Sequence, residues 1–358
     1  MSEAASQSGE HMFRPRIRKA LVPLVHMLDR APEAPHVQPL PEEEQTRFPA
    51  YPWDLRTVII VFPQDSPFRY LNLNVLLGMT GVPFDQVERW HGPNPRDAFD
   101  LQLCLEAPNR CATYKQYHSI SRELKYRPND VYFELGQQLL FEGRWPEYRI
   151  RYTQPEINLE LSLQLNSWKD FRWWAYTPGI YCHYTSFCDC RFQWQWEDDE
   201  GVLEVPALHD HGWGKNILPV RLPLKVFRYE VMRFPEGAFA ISLWTEGPLR
   251  MELRNVGLIR WDKQPPVHMN RYECKVLEWE MFSNYAGKEC RVPRRWIGTQ
   301  HGDRVEFHYE AVRTSLPRAV LGEGFLYGFG FQGRLTGACP SSERIEGTGY
   351  VEQLGRFL

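Results

Sequence analysis

Residues 206–214 concentrate side chains that can transfer protons. Asp210 lies between His209 and His211, and Trp213 follows two residues later. A carboxyl beside an imidazole is a workable general acid/base pair near neutral pH, and a carboxyl in a dry pocket acquires a raised pKa. Alternate residues of a strand face opposite sides, so Asp210 faces one side while both imidazoles face the other. Asp210 is therefore the first candidate for proton transfer. His211 and Trp213 follow it, because the glycines beside them permit a bulge that re-aims a side chain.

A third imidazole is expected on an upstream strand over residues 179–186. On such a strand Tyr181, His183 and Thr185 share one face. We expect His183 to tune the acid/base chemistry of Asp210 together with His211. The side chains expected to shape the substrate pocket are aromatic: Tyr181, Trp194, Trp196 and Trp213.

The C-terminal segment supplies a further candidate acid. Gly347 and Gly349 loosen the chain before a terminal strand on which Tyr350 and Glu352 share one face. We expect both of the latter residues to contact the substrate, with Glu352 as a second acid of the cavity. The alternative for Glu352 is a structural ion pair with an arginine.

The sequence predicts neither a metal nor an organic cofactor. A zinc site would combine His183 with His209 and His211, but no fixed spacing supports the third ligand. The motifs that bind phosphates or dinucleotides are missing, as is the nucleophile elbow of hydrolases. For His209 and His211 the alternative is an ordinary hydrogen-bonded surface position.

Strand patterns dominate the chain and must position these groups. Apolar and polar residues alternate at 131–135 and at 157–165, and no long helical period follows residue 100. A sheet with one wet face must cover its other face or close on itself, and closure also removes the exposed edges. About eight strands enclose room for one small ligand. The sequence therefore predicts an all-β protein of two antiparallel barrels in tandem, at 51–220 and 221–358. A partly disordered N-terminal extension of residues 1–50 precedes them.

Composition limits the class of partner. The net charge of the 358 residues is −3 with no long run of one sign, which excludes a nucleic-acid partner. The aromatic share of 14% favours a hydrophobic small-molecule ligand. The longest apolar runs are too short for a transmembrane segment, and we recognise no signal peptide. The eight cysteines are therefore expected to be reduced thiols in a cytoplasmic protein, and homodimer formation is left open.

The segments 208–214 and 347–352 resemble those of the AttH-like and carotenoid 1,2-hydratase-like proteins, which include the hydroxyneurosporene synthases. The resemblance covers about residues 130–358. It implies two lipocalin-like (calycin) barrels and cofactor-free chemistry on isoprenoid- or polyketide-like molecules. It also implies that Asp210 protonates an alkene with help from His183. This chain departs from the family at Leu208 and Thr185, where aromatic residues are expected.

Two functions follow from these features. The first is a cofactor-independent lyase/hydratase or isomerase/cyclase that moves a proton on a hydrophobic molecule. The second is a non-catalytic carrier of a lipophilic ligand, in which the polar cluster anchors the head group of that ligand.

Overall fold

The structure is a computed structural model that describes residues 45–78, 94–177, 181–214, 226–235, 238–246, 252–260, 266–283, 289–302, 306–319, 326–335, 345–354 and 356–357. The predicted all-β class is confirmed. The chain forms two antiparallel barrel-like sheets, one nearly closed and the other a half-barrel, as expected for tandem lipocalin-like barrels. The N-terminal extension up to residue 44 lies outside the described residues. The same holds for the junction at 215–225, so the domain boundary at residue 220 stays a prediction.

The first sheet consists of the strands up to residue 214. These are β1 (Trp53–Val61), β2 (Tyr70–Leu77), β3 (Ala98–Glu106), β4 (Cys111–Ser119), β5 (Leu124–Tyr126), β6 (Val131–Leu135), β7 (Leu139–Arg144), β8 (Glu147–Gln154), β9 (Leu159–Thr177), β10 (Tyr181–Trp196) and β11 (Asp199–Gly214). A short helix, α1 (Ile120–Glu123), joins β4 to β5, and 3-10 turns occupy Pro95–Asp97 and Pro155–Ile157. Among the described residues, no helix has the length and apolar character needed to cross a membrane.

The second sheet consists of the strands from residue 226 onward. These are β12 (Val226–Arg233), β13 (Phe239–Glu246), β14 (Glu252–Arg260), β15 (Val267–Met269), β16 (Arg271–Ser283), β17 (Glu289–His301), β18 (Glu306–Arg313), β19 (Arg318–Ala319), β20 (Leu326–Leu335), β21 (Ile345–Leu354) and β22 (Arg356–Phe357). The short strands β19 and β22 pair with β20 and β17.

Both sheets follow the same plan. The first sheet has the order β4-β3-β2-β1-β11-β10-β9-β8-β7-β6-β5, and the second has the main order β15-β14-β13-β12-β21-β20-β18-β17-β16. In each sheet an early strand pairs with a late one, β1 with β11 and β12 with β21. These pairings curl the antiparallel meander toward a barrel. The two edge strands of each sheet are consecutive in the chain: β4 and β5 in the first sheet, and β15 and β16 in the second.

The strand predicted at residues 157–165 begins two residues later than expected. Leu159 is the first residue of β9, whereas Ile157 belongs to a 3-10 turn and packs against the core from there. Asn158 adopts a left-handed conformation with φ of 48°, which turns the chain before the strand starts. Pro155 cannot donate a backbone hydrogen bond, and this favours the start of a turn over a sheet ladder.

The two sheets bury their central strands on both faces. On β1, Val58 and Ile60 join the core inside the first sheet, while Ile59 and Val61 join a second core that lies between the sheets. This arrangement explains why the second half of β1, residues 58–61, is a continuous apolar run instead of an alternating one. A polar side chain on the outward face of these strands is therefore buried between the sheets and must find partners there.

Candidate active site between the two sheets

Asp210 lies on β11 and projects into the layer between the sheets, where the residue is only 5% exposed. The register pairs it directly with Thr185 of β10. The Thr185 hydroxyl and the Tyr229 hydroxyl, which comes from β12 of the second sheet, both hydrogen-bond the carboxyl. Oδ1 of Asp210 has no hydrogen-bond partner within the described part of the chain. Most buried polar atoms in proteins are paired, so this oxygen is a candidate contact for a ligand.

The burial of Asp210 decides its protonation state. Burial raises its pKa to about 8, and the charge of Glu352 acts in the same direction, whereas the hydrogen bonds from Thr185 and Tyr229 act against it. A carboxyl with this pKa holds its proton at neutral pH, because desolvation penalises the charged form. Asp210 is therefore a buried carboxylic acid.

His183 is the imidazole that accompanies Asp210. Its Nε2 lies 3.9 Å from Oδ2 of Asp210. The register sets His183 opposite Gly212, and a Cβ at that glycine would stand only 3.4 Å from the imidazole Cδ2. Burial lowers the pKa of His183 to about 3, and His211 adds to this shift. The ring is therefore neutral and can accept or donate a hydrogen bond beside the acid.

Glu352 brings a second carboxyl into the same layer from β21. Its Oε1 accepts hydrogen bonds from Asn72 Nδ2 at 2.8 Å and from the Tyr350 hydroxyl at 3.1 Å. Burial raises the pKa of Glu352 to about 7, although both hydrogen bonds favour the ionised form. Near neutral pH this group is thus divided between acid and carboxylate. Asp210, which feels the charge of Glu352, keeps its proton.

A chain of hydrogen bonds through β1 and β2 orients Glu352. The Thr57 hydroxyl donates to Asn74 Oδ1 at 2.6 Å, and Asn74 Nδ2 donates in turn to Asn72 Oδ1. Asn72 then donates to Glu352, so every donor points toward the carboxyl. A chain with this direction presents Glu352 as an acceptor and fixes its position between the sheets.

His211 lies on the opposite face of β11 from Asp210. The registers of β11 with β1 and β10 run without a bulge through this region, so the strand period is kept. His211 Nε2 instead lies 3.3 Å from Asp54 Oδ2, inside the first sheet. Burial lowers the pKa of His211 to about 4. The structure therefore separates His211 from Asp210.

The predicted aromatic residues fall into two groups. Tyr350 lies in the layer between the sheets, where its ring centroid is 4.7 Å from that of Tyr70. The other predicted aromatic residues lie elsewhere in the first sheet. Tyr181 packs on Trp53 and His183, and Trp213 packs on His211. Trp194 and Trp196 belong to the core of the first sheet near Phe68. Trp194 and Trp196 are far along β10 from Thr185, and their ring contacts in the described structure are with the core of the first sheet.

Several residues of this site were not predicted from the sequence, among them Asn72, Asn74 and Tyr229. Asn72 and Asn74 lie in β2, where amides alternate with leucines, and this alternation was a usable signal for a polar stripe on one face. Tyr229 lies on β12, and nothing in its local sequence relates it to Asp210. Its contact depends on how the second sheet packs on the first.

The imidazoles considered for zinc do not converge. His183 faces the layer between the sheets, whereas His209 faces the interior of the first sheet, where its ring lies 4.8 Å from that of Tyr148. In the described ranges no group of three or more His, Cys, Asp or Glu side chains is arranged to hold a metal ion.

Solved structures share the fold of this chain over most of its length. Kievitone hydratase from Nectria haematococca is 10% identical, with a TM-score of 0.60, over 90% of this chain and 94% of that protein. A Nitrosomonas europaea protein provisionally described as AttH is also 10% identical, with a TM-score of 0.59, over 86% of this chain and 92% of its own. The expected AttH-like tandem lipocalin fold is thereby confirmed.

Comparison of sequences identifies a family but no characterised relative. The model of a family of unknown function (DUF6670) matches residues 75–354. No curated protein is similar in sequence to this chain.

Proposed function

The chain belongs to this family of unknown function, and we propose that it is a cofactor-independent enzyme that moves a proton on a hydrophobic small molecule. The reaction class is that of a lyase/hydratase or of an isomerase/cyclase. The observation that carries the proposal is Asp210, a buried acid that keeps its proton at neutral pH and has one carboxyl oxygen without a hydrogen-bond partner among the described residues. One structural neighbour is named a hydratase, so the fold is compatible with this chemistry, but the reaction class rests on the site.

In this proposal Asp210 is the general acid. Its carboxyl proton passes to an alkene carbon or a carbonyl oxygen of the substrate, and Asp210 is left as a carboxylate. The hydroxyls of Thr185 and Tyr229 hydrogen-bond that carboxylate and stabilise its charge as it develops. His183 is neutral, so it does not compete with Asp210 as a proton donor.

Glu352 is the complementary general base. As a carboxylate it takes a proton from water during hydration, or from a substrate carbon during isomerisation or cyclisation. Its Oε1 is held by Asn72 and Tyr350, which leaves the second oxygen for this proton. The negative charge of ionised Glu352 raises the pKa of Asp210. Asp210 therefore keeps its proton when Glu352 is in the form that acts as a base.

The surroundings of the two carboxyls favour a hydrophobic substrate. The layer between the sheets is lined by aromatic rings, including Trp174, Phe187 and Tyr70, and by aliphatic side chains of β1 and β12. Such walls bind apolar groups without specific hydrogen bonds, while the carboxyls fix one polar atom.

The test begins with native mass spectrometry of the purified protein, which weighs any molecule that copurifies, and continues with a turnover assay on that molecule. We expect Asp210→Asn to lower turnover by about two to four powers of ten, because the amide cannot donate a proton, while ligand affinity changes little. Asp189→Asn removes an exposed carboxyl from the neighbouring strand and is the matched control.

The carrier function makes the opposite prediction. A carrier would bind the copurifying molecule without converting it, and Asp210→Asn would then affect only affinity. Turnover that survives in the Asn variant would make Asp210 an anchor for a head group and would exclude the enzyme proposed here.

A further inference from the structure

Two cysteines lie beside the candidate site but take no part in the proposed chemistry. Cys104 is on β3, and Cys111 is the first residue of β4, across a tight turn. Both are reduced, and their Sγ atoms are 3.6 Å apart. The register pairs Cys111 with Glu106, so the two thiols are diagonal neighbours on one face of the sheet.

The surroundings of the two thiols are unequal. Cys104 is buried, and the Tyr70 hydroxyl contacts its sulfur at 3.3 Å. Cys111 is half-buried at the end of the hairpin and can be reached from solvent. A hydrogen bond with Cys104 and the nearby Arg318 guanidinium lower the pKa of Cys111, whereas the pKa of Cys104 is raised by its hydrogen bond to Cys111 and by burial. The accessible sulfur is therefore the better nucleophile.

We propose that Cys104 and Cys111 form a dithiol site that a hydroperoxide oxidises to an intramolecular disulfide. The Cys111 thiolate attacks the peroxide oxygen, the O–O bond breaks and an alcohol or water leaves, so that Cys111 becomes a sulfenic acid. The Cys104 sulfur then attacks the Cys111 sulfur and displaces water. One hydroperoxide is reduced, two thiols are oxidised, and the two thiol hydrogens leave in the products.

Closure of the disulfide requires a local movement. The two sulfur atoms must approach from 3.6 Å to about 2.05 Å. The position of Cys111 at the start of β4 lets the hairpin end supply this movement, while Cys104 lies inside its strand. Closure also turns the Cys104 sulfur toward Cys111 and away from the Tyr70 hydroxyl, and the Tyr70 ring packs on Tyr350.

The sequence permits a direct test on the full-length protein. Cleavage after Arg110 places Cys104 on the peptide 97–110 and Cys111 on the peptide 111–115, and neither peptide contains another cysteine. Reduced protein is treated with one equivalent of hydrogen peroxide, alkylated, digested with trypsin and analysed by mass spectrometry. We expect the two peptides to be joined, and the titratable thiols to fall from eight to six.

Two variants separate the roles of the two sulfurs. In Cys104→Ser the reaction should stop at a sulfenic acid on Cys111, which dimedone traps, and in Cys111→Ser the Cys104 thiol should stay reduced. Cys190→Ser, which alters a buried thiol inside the first sheet, is the control and should leave the joined peptides unchanged. Wild-type protein that keeps both thiols reduced, or Cys104→Ser without a dimedone adduct, overturns the proposal.

The oxidised site has a second expected effect, which rests on the proposed function. Loss of the Cys104 contact should shift the Tyr70 ring, which packs on Tyr350, and Tyr350 donates a hydrogen bond to Glu352. We therefore expect oxidation to lower turnover and dithiothreitol to restore it. A disulfide that forms without a change in turnover rejects this coupling alone. The peptide analysis requires no substrate, so it distinguishes failure of the dithiol proposal from failure of the enzyme proposal.

Discussion

The protonation of Asp210 can be tested through stability, without knowledge of a substrate. Its pKa is raised by burial from 3.8 to about 8 in the folded protein, while the unfolded chain keeps the ordinary value. The stabilisation from this protonated group is complete below the unfolded pKa and is lost as the pH rises toward the folded pKa. Each pH unit between these limits corresponds to about 1.4 kcal/mol. Between pH 5 and pH 7 the wild-type protein should therefore lose about 3 kcal/mol through Asp210.

Asp210→Asn removes this loss because the amide does not titrate. Relative to the wild type, the free energy of unfolding of the variant should thus rise by about 3 kcal/mol between pH 5 and pH 7. Equilibrium urea unfolding followed by tryptophan fluorescence at pH 5, 6 and 7 measures the difference. Any fixed effect of the substitution displaces the whole curve and leaves this slope intact. The control is Asp189→Asn, at an exposed position. If the curves of Asp210→Asn and wild type ran parallel, Asp210 would be ionised in the folded protein, and the argument for a general acid would fail.

Two further predictions concern the remaining carboxyls. The pH profile of kcat/KM should be bell-shaped, rising as Glu352 loses its proton near its pKa of about 7 and falling as Asp210 loses its proton near its pKa of about 8. A profile without the acidic limb would remove Glu352 from the mechanism. Asp54→Asn should destabilise the fold by about 3–5 kcal/mol in urea unfolding, because Arg56 is fully buried and its Nε lies 3.9 Å from Asp54 Oδ1. A loss no larger than that of Asp189→Asn would show that this ion pair adds little.

The local sequence was sufficient for β6 and for the side-chain faces around Asp210. The alternation at residues 131–135 predicted β6 with its observed ends. The same period predicted that Asp210 and His211 face opposite sides, and that His183 shares a face with Thr185. These predictions hold because a strand alternates its side chains by covalent geometry, wherever the strand is placed.

The wider pocket could not be derived in this way. Trp194 and Trp196 were expected beside Asp210 because they are aromatic and near in sequence, yet β10 is long enough to carry them into another part of the core. Alternation defines two faces of a strand, but in this protein both faces of the central strands are buried. The pattern therefore does not reveal which face lines the site.

Only the tertiary structure decided which groups meet Asp210. Glu352 lies 280 residues from Asn72 in the chain, and Tyr229 reaches the carboxyl from a different sheet. These contacts exist because β12 and β21 pack their outward faces against β1, β10 and β11 of the first sheet. The sequence determined by itself that this is an all-β chain with an acid on a buried strand face. The partners that set the pKa of that acid were decided by sheet-on-sheet packing, because side-chain desolvation depends on everything within a few ångströms and not on neighbours in the chain.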